Sequence, residues 1–371
     1  MISRRFLPAL TLVGLVAACC ASTSTAPSAP ATPSAAPSTA SASATPTPSP
    51  TPVPTSPLTG LPEKSPSPVL IVKLDNTHNA QPHAGLKDAD VVYIEEVEYG
   101  ITRLAAVFSS VIPDHIGPVR SARITDIDLL AQYGTPAFAY SGAQRKMYPA
   151  IDGASIIDVS PRKGAEGYAR DFDRRAPYNY FLDGTVAIKR APDASLDHDM
   201  GFVFSPDVPA GGLPNTKAKM TWGYAKAMFT FDPLTGLYKV NLNGYPAEAE
   251  ENDKGQNAAT VVIQYVKQRP SKYFDKGGGN TPHAETIGTG TATILRDGFS
   301  YDVTWSRPSA TVGTTFTMAD GSPMPFKPGQ QWIVLLNKKT PATLYPKPAP
   351  SPSASSTPSS SPSASTSPST R

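Results

Sequence analysis

Two stretches of this chain have nothing from which to build a core, and they fix how much of it can fold. Residues 21–57 are Ala, Ser, Thr or Pro at every position but Val53, and residues 351–370 are Ser, Pro, Ala and Thr throughout. Segments with almost no apolar surface cannot offset the entropy of ordering a chain. The fold is therefore confined to about 285 of the 371 residues, room for two domains with a core each. The first tract carries ten prolines. It favours extended polyproline II, whose rise of about 3.1 Å per residue gives a reach on the order of 100 Å. It reads as a stalk, either O-glycosylated or a plain disordered spacer.

Ahead of this tract, Arg4-Arg5 form a basic region and Phe6 to Ala18 an apolar one. The apolar run has signal-peptide length and is too short to span a bilayer. It ends Val16-Ala17-Ala18-Cys19, small residues before a cysteine, as in a bacterial lipobox. An ordinary cleaved signal and an uncleaved anchor are the alternatives. Cys19 suits acylation better than Cys20, which would itself follow a cysteine. A diacylglyceryl thioether with a further N-acyl chain would hold the protein stably where one chain would not. The expectation is a signal peptide over 1–19, a disordered tether over 20–57, and a protein anchored on the extracytoplasmic face of a bacterial cell membrane.

Composition excludes several functions. The net charge of +3 is too mild for a nucleic-acid binder. The two cysteines both lie at the end of the signal, so the remainder can hold no disulfide, thiolate zinc site or cysteine nucleophile. The histidines, His78, His83, His115, His198 and His283, show no metal-ligand spacing. No metal or cofactor is expected. Asp197-His198-Asp199 reads as a solvated loop, and Gly277-Gly278-Gly279 as a flexible hairpin loop.

Hydrophobic patterning divides the rest. From 58 to 200, strands over 69–74, 91–99, 103–111, 137–140 and 155–159 alternate with helices over about 121–133, up to 151, and 185–190. This predicts an α/β sandwich. After a linker over 201–214, residues 215–345 show only strands and hairpin turns, among them Arg296-Asp297-Gly298. They predict a mostly β barrel or sandwich, with nothing in it clustering as a site. The overall class is α+β or α/β, with a disordered Pro/Ser-rich tail over 346–371.

One turn stands out, Gly117-Pro118-Val119-Arg120-Ser121-Ala122-Arg123, with Ser121 as a plausible helix cap. It places two arginines where the helix dipole prefers anions. Upstream lie Glu95, Glu96, Glu98 and Arg103. In a continuous strand Glu96 and Glu98 share one face and Glu95 points opposite. One reading closes the arginines on these carboxylates as a partly buried ion network. The other makes Arg120, Arg123 and Arg103 an anion site, oriented by Glu98, Asp75, Asn76, Asp126 and Ser121. A third option is a hydrolase or transferase with Glu98 as acid or base beside Asp126 or Asp75. The favoured expectation is a binding protein for an anionic cell-wall polymer or an envelope protein.

These residues resemble the YerB-like bacterial lipoprotein family, whose N- and C-terminal domains are both of unknown function. The matching elements are Asp75-Asn76, Ala89-Asp90-Val91-Val92-Tyr93, Gly100-Ile101-Thr102-Arg103 and Ile116–Arg123. In the second half they are Val261–Gln264, Gly288-Thr289-Gly290, Thr304-Trp305-Ser306-Arg307 and Pro328–Ile333. Two positions depart from the family pattern: Pro177-Tyr178-Asn179 replaces Pro-His-Asn, and Tyr99-Gly100 replaces Gly-Gly. A required catalytic histidine at 178 is thereby ruled out. The resemblance implies an extracytoplasmic lipoprotein and supplies no activity.

Overall fold

The computed structural model describes residues 53–250 and 255–346. The expected signal peptide, Cys19 and nearly all of both low-complexity tracts lie outside the described residues. Order begins slightly earlier than expected: Thr55 bridges Pro62, and Ser56 is buried and bonded to Leu61 and Gly60.

The fold is mostly β. In the first half, β1 (Leu70–Asp75), β2 (Val91–Glu96), β3 (Thr102–Phe108), β4 (Ala137–Ala139) and β5 (Ile157–Asp158) share one sheet. The helices are short: α1 (Ile124–Leu130), α2 (Tyr148–Asp152) and α3 (Gly184–Lys189). They are too short to make the full helical layer expected of an α/β sandwich: Gly134 and Pro136 end the run that holds α1, and Gly153 ends α2.

The second half supplies β6 (Lys217–Thr221), β7 (Lys226–Asp232), β8 (Leu237–Leu242), β9 (Thr260–Phe274), β10 (Asn280–Glu285), β11 (Gly288–Arg296), β12 (Phe299–Arg307), β13 (Thr315–Thr317), β14 (Gln331–Asn337) and β15 (Thr343–Tyr345). They close no barrel. Strands β9 and β11 to β14 join the first half in one twelve-stranded sheet, ordered β13-β12-β11-β9-β14-β2-β3-β1-β4-β5, with β10 paired to β9. Strands β6, β7, β8 and β15 belong to a separate six-stranded sheet.

The joint is β14. It runs parallel to β2, with Val92 opposite Trp332 and Ile94 opposite Val334, and parallel to β9 on its other side. These strands are near-continuous apolar runs because both faces of the sheet are covered. Alternation sends Val72, Ile94, Leu104, Val261 and Trp332 into one core, and Ile71, Tyr93, Ala105, Val262 and Ile333 into the other. Each core therefore spans both halves, which corrects the expectation of one core per domain. The stretch expected as a linker is also packed: Met200 and Phe202 are buried, Val203–Phe204 pairs with Pro325–Phe326, and Leu213–Pro214 pairs with β12. Among the described residues no helix is long and apolar enough to cross a membrane.

Candidate functional site

The face of the sheet under α1 turns from apolar to charged at the carboxyl ends of β1 and β2. Period-two alternation carries Ile71 to Lys73 to Asp75 on β1, and Tyr93 to Glu95 on β2. The register then sets Arg103 of β3 directly between Asp75 and Glu95. Lys73 is fully buried and ion-paired with Glu95 and, at 2.8 Å, with Asp126 of α1. Burial pushes the Lys73 ammonium down to about 8, against the pull of Asp126. Burial, then the neighbouring Arg123 and Arg120 charges, push the Arg103 guanidinium down as well.

The motif 117–123 packs across this charged end. Arg120 N donates to the Lys73 carbonyl, and its Nε meets Asp75 Oδ2 at 2.5 Å. Arg103 donates Nη1 to the Ser121 carbonyl at 2.7 Å. Helix α1 begins at Ile124 with Arg123 in the cap position; the Arg123 N–H donates to Asp126 Oδ2 at 2.6 Å. Ser121 is thus not the cap. Asp126 does that work from the first turn, which leaves Ser121 to offer its carbonyl.

Strand β2 stops at Glu96, and Glu98 opens a tight turn in which Tyr99 takes φ +60°. The expected pairing of Glu96 and Glu98 on one strand face is therefore wrong. Glu95 is the carboxylate that faces the cluster, and Glu98 reaches it from beyond the strand end. Its Oε2 accepts from Arg123 Nε at 2.9 Å and from Arg123 Nη2 at 2.7 Å; its Oε1 accepts from the Thr281 hydroxyl. Burial alone would raise the Glu98 carboxyl, but the Arg123 hydrogen bonds and charge outweigh it and hold it below the usual range.

These groups floor a pocket of about 520 Å³. Glu98, Arg120, Ser121 and Arg123 line it. Asp75, Arg103 and Asp126 are buried behind it, and Asn76 is turned away to Thr102 and Asn243. The far wall comes from the second half: Tyr273, Phe274, Asp275 and Lys276 around the β9–β10 turn, with Thr281 of β10. The expectation that this half contributes nothing to a site is corrected. Tyr99 clamps that wall: its hydroxyl is 3.1 Å from Asp275, a Cβ at Gly277 would lie 2.6 Å from that hydroxyl, and one at Gly279 would lie 2.5 Å from its ring.

Lys73 was legible as a lone cation inside the apolar run 69–74, a residue that burial tolerates only when paired. Thr281 and Tyr273 carry no such local signal, since they reach the site only through long-range strand pairing. Elsewhere, Asp197 is buried rather than solvated and accepts from Ser67 N at 2.6 Å. The triple glycine does form the β9–β10 turn. Among the described residues no group of His, Cys, Asp and Glu is arranged to hold a metal ion.

Known proteins agree with the two-part organisation. Residues 58–197 match the N-terminal domain, and residues 218–333 the C-terminal domain, of a family described as a protein of unknown function (DUF3048). "Putative lipoprotein YerB" of Bacillus subtilis (strain 168) is 24% identical over 295 residues, covering 75% of this chain and 85% of that one. A crystal structure of the YerB protein from Bacillus subtilis superposes with a TM-score of 0.66 at 19% identity, covering 78% of this chain and 99% of the other. That likeness is one of fold. The chain belongs to the DUF3048 family, with both of its domains present and joined through one sheet.

Proposed function

We propose that this chain is a lipid-anchored envelope protein that binds an anionic component, a wall polymer or a partner protein's acidic segment, in the pocket above Arg120. One observation carries the reading. Arg120, which lines the pocket, spends only its Nε on Asp75, and its two terminal nitrogens make no hydrogen bond among the described residues. A guanidinium edge with two parallel donors matches a phosphate or carboxylate. Exposed Lys276 adds a second cation on the opposite wall. Helix α1, with only seven residues, is too short to form an anion site of its own.

The hydrolase alternative at Glu98 is less well supported. Both Glu98 oxygens are engaged, and its carboxyl is held low, so it carries no proton to give at neutral pH. The lipoprotein name of the relative and the lipobox-like Val16–Cys19 support membrane anchoring.

The test is calorimetric titration of the full chain with poly(glycerol phosphate) and with inorganic phosphate. Wild type should bind the polymer, and Arg120→Gln and Lys276→Ala should each weaken binding about tenfold, Lys276→Ala without loss of thermal stability. Unchanged binding in both variants, or none in wild type, refutes the reading.

A further inference from the structure

A second cleft is lined by residues from both halves of the chain. It encloses about 440 Å³ and is built by three separate stretches: the turn 78–82, the loop 174–178 and the segment 245–248. Its walls are fixed before any ligand arrives. Arg174 donates to the carbonyls of Ala80 at 2.8 Å and Pro82 at 2.9 Å, locking the loop to the turn. The Gln81 side chain accepts from Glu248 N at 3.3 Å, and His83 exchanges backbone bonds with Glu248 and Glu250. The His78 and Tyr245 rings stack at 3.9 Å with 23° between their planes, one from each half.

Within this frame a set of polar side chains is left without hydrogen-bond partners among the described residues. The side chains of Asn79, Arg175, Tyr178, Tyr245 and Glu248 line the cleft, yet none hydrogen-bonds to another described residue. Together they offer an amide that both donates and accepts, a planar guanidinium donor, a carboxylate acceptor and two phenolic hydroxyls. Tyr245 is 51% exposed, so the stacked pair keeps an open aromatic face. The charges are mixed, Arg175 against Glu248 and Arg174 against Glu250 at 3.5 Å, so neither a polyanion nor an organic cation is favoured.

We propose that this cleft is an oligosaccharide site. The C–H face of a pyranose ring is apolar and rests on an aromatic platform, here Tyr245 stacked on His78. The hydroxyls around the ring edge each donate and accept, and they need planar partners of both kinds, here Asn79, Arg175 and Glu248. The volume falls among those of small-molecule pockets, about 300–1,000 Å³, large enough for a short run of sugar units. This site is independent of the Arg120 pocket and does not rest on the anion reading.

The experiment is titration of the full-length chain with two uncharged β-1,4-linked tetrasaccharides, one of N-acetylglucosamine and one of glucose. Binding of either supports the site, and the difference reports whether the acetamido group is read. Tyr245→Ala should weaken binding at least tenfold and Asn79→Ala several-fold, while Tyr245→Phe keeps the ring face and most of the affinity. Arg120→Gln should leave saccharide binding unchanged, which separates this site from the other. Both cleft residues are exposed, and matched thermal unfolding of Asn79→Ala excludes a folding artefact. The proposal is overturned if neither saccharide binds more tightly than about 10 mM. It is equally overturned if binding survives both Tyr245→Ala and Asn79→Ala, or if poly(glycerol phosphate) occupies this cleft and is released by Arg175→Ala.

Discussion

The two ends of strands β1 to β3 treat carboxylates in opposite ways. At one end Asp75, Glu95, Glu98 and Asp126 meet Lys73, Arg103, Arg120 and Arg123, four anions against four cations. At the other end Asp90, Asp197 and Glu63 gather, and among the described residues none of the three forms an ion pair with a Lys, Arg or His. Asp90 accepts from the N–H groups of Ser109 and Ser110, and Glu63 lies beside Asp197. Burial, then the Asp197 charge, raises the Glu63 carboxyl to about 7, and burial raises Asp90 to about 6. Glu98, equally a carboxylate, is held low. The side chain does not decide its own charge cost; the neighbours recruited from other strands do.

The comparison can be broken most forcefully at Lys73. Lys73→Met leaves Glu95 and Asp126 buried and unpaired, and should cost about 3–5 kcal/mol by denaturant unfolding. Adding Glu95→Gln should restore part of that loss; a neutral single variant would mean the ammonium is not the centre of the network. Next is Glu98→Gln, which weakens two charge-assisted hydrogen bonds and should cost about 1.5–3 kcal/mol at pH 7.

The two ends should also answer pH with opposite signs. A carboxyl held low in the fold contributes stability that is present above its ordinary value near 4.5 and is lost as pH falls through its folded value. Glu98→Gln should therefore flatten the acid limb of the stability profile. A carboxyl raised in the fold contributes fully below 4.5 and loses that contribution as pH rises through about 7. Glu63→Gln should thus raise the melting temperature at pH 8 more than at pH 5, by less than either change above. The same sign in both variants would dissolve the contrast. The smallest effect is expected from Lys276→Ala, within about 0.5 kcal/mol of wild-type stability because its side chain is exposed.

Much of the charged end was legible because its members sit at fixed spacings around two strands and a turn. Arg120, Ser121, Arg123 and Glu98 line the pocket, and the runs read as strands over 69–74 and 103–111 hold β1 and β3, the second of which ends already at Phe108. Glu98 was misplaced because a strand pattern cannot reveal the left-handed residue at Tyr99, a bulky side chain where glycine is usual. The first helix was read from Ser121 but opens at Ile124, because Asp126 caps the Arg123 N–H instead. The pairing of β2 with β14 was invisible, since parallel pairing across the chain leaves no local trace.

That pairing has a consequence for how the chain is made. Val91 and its partner Gln331 lie 240 positions apart in sequence (331 − 91). Throughout synthesis β2 has an open edge, and its partner arrives almost last. Contacts so distant slow folding, and an uncovered apolar edge invites foreign strands. A nascent chain stalled anywhere between the two halves would expose that edge to whatever lies nearby. The two domains matched by the family are thus readable as separate texts but can be completed only together.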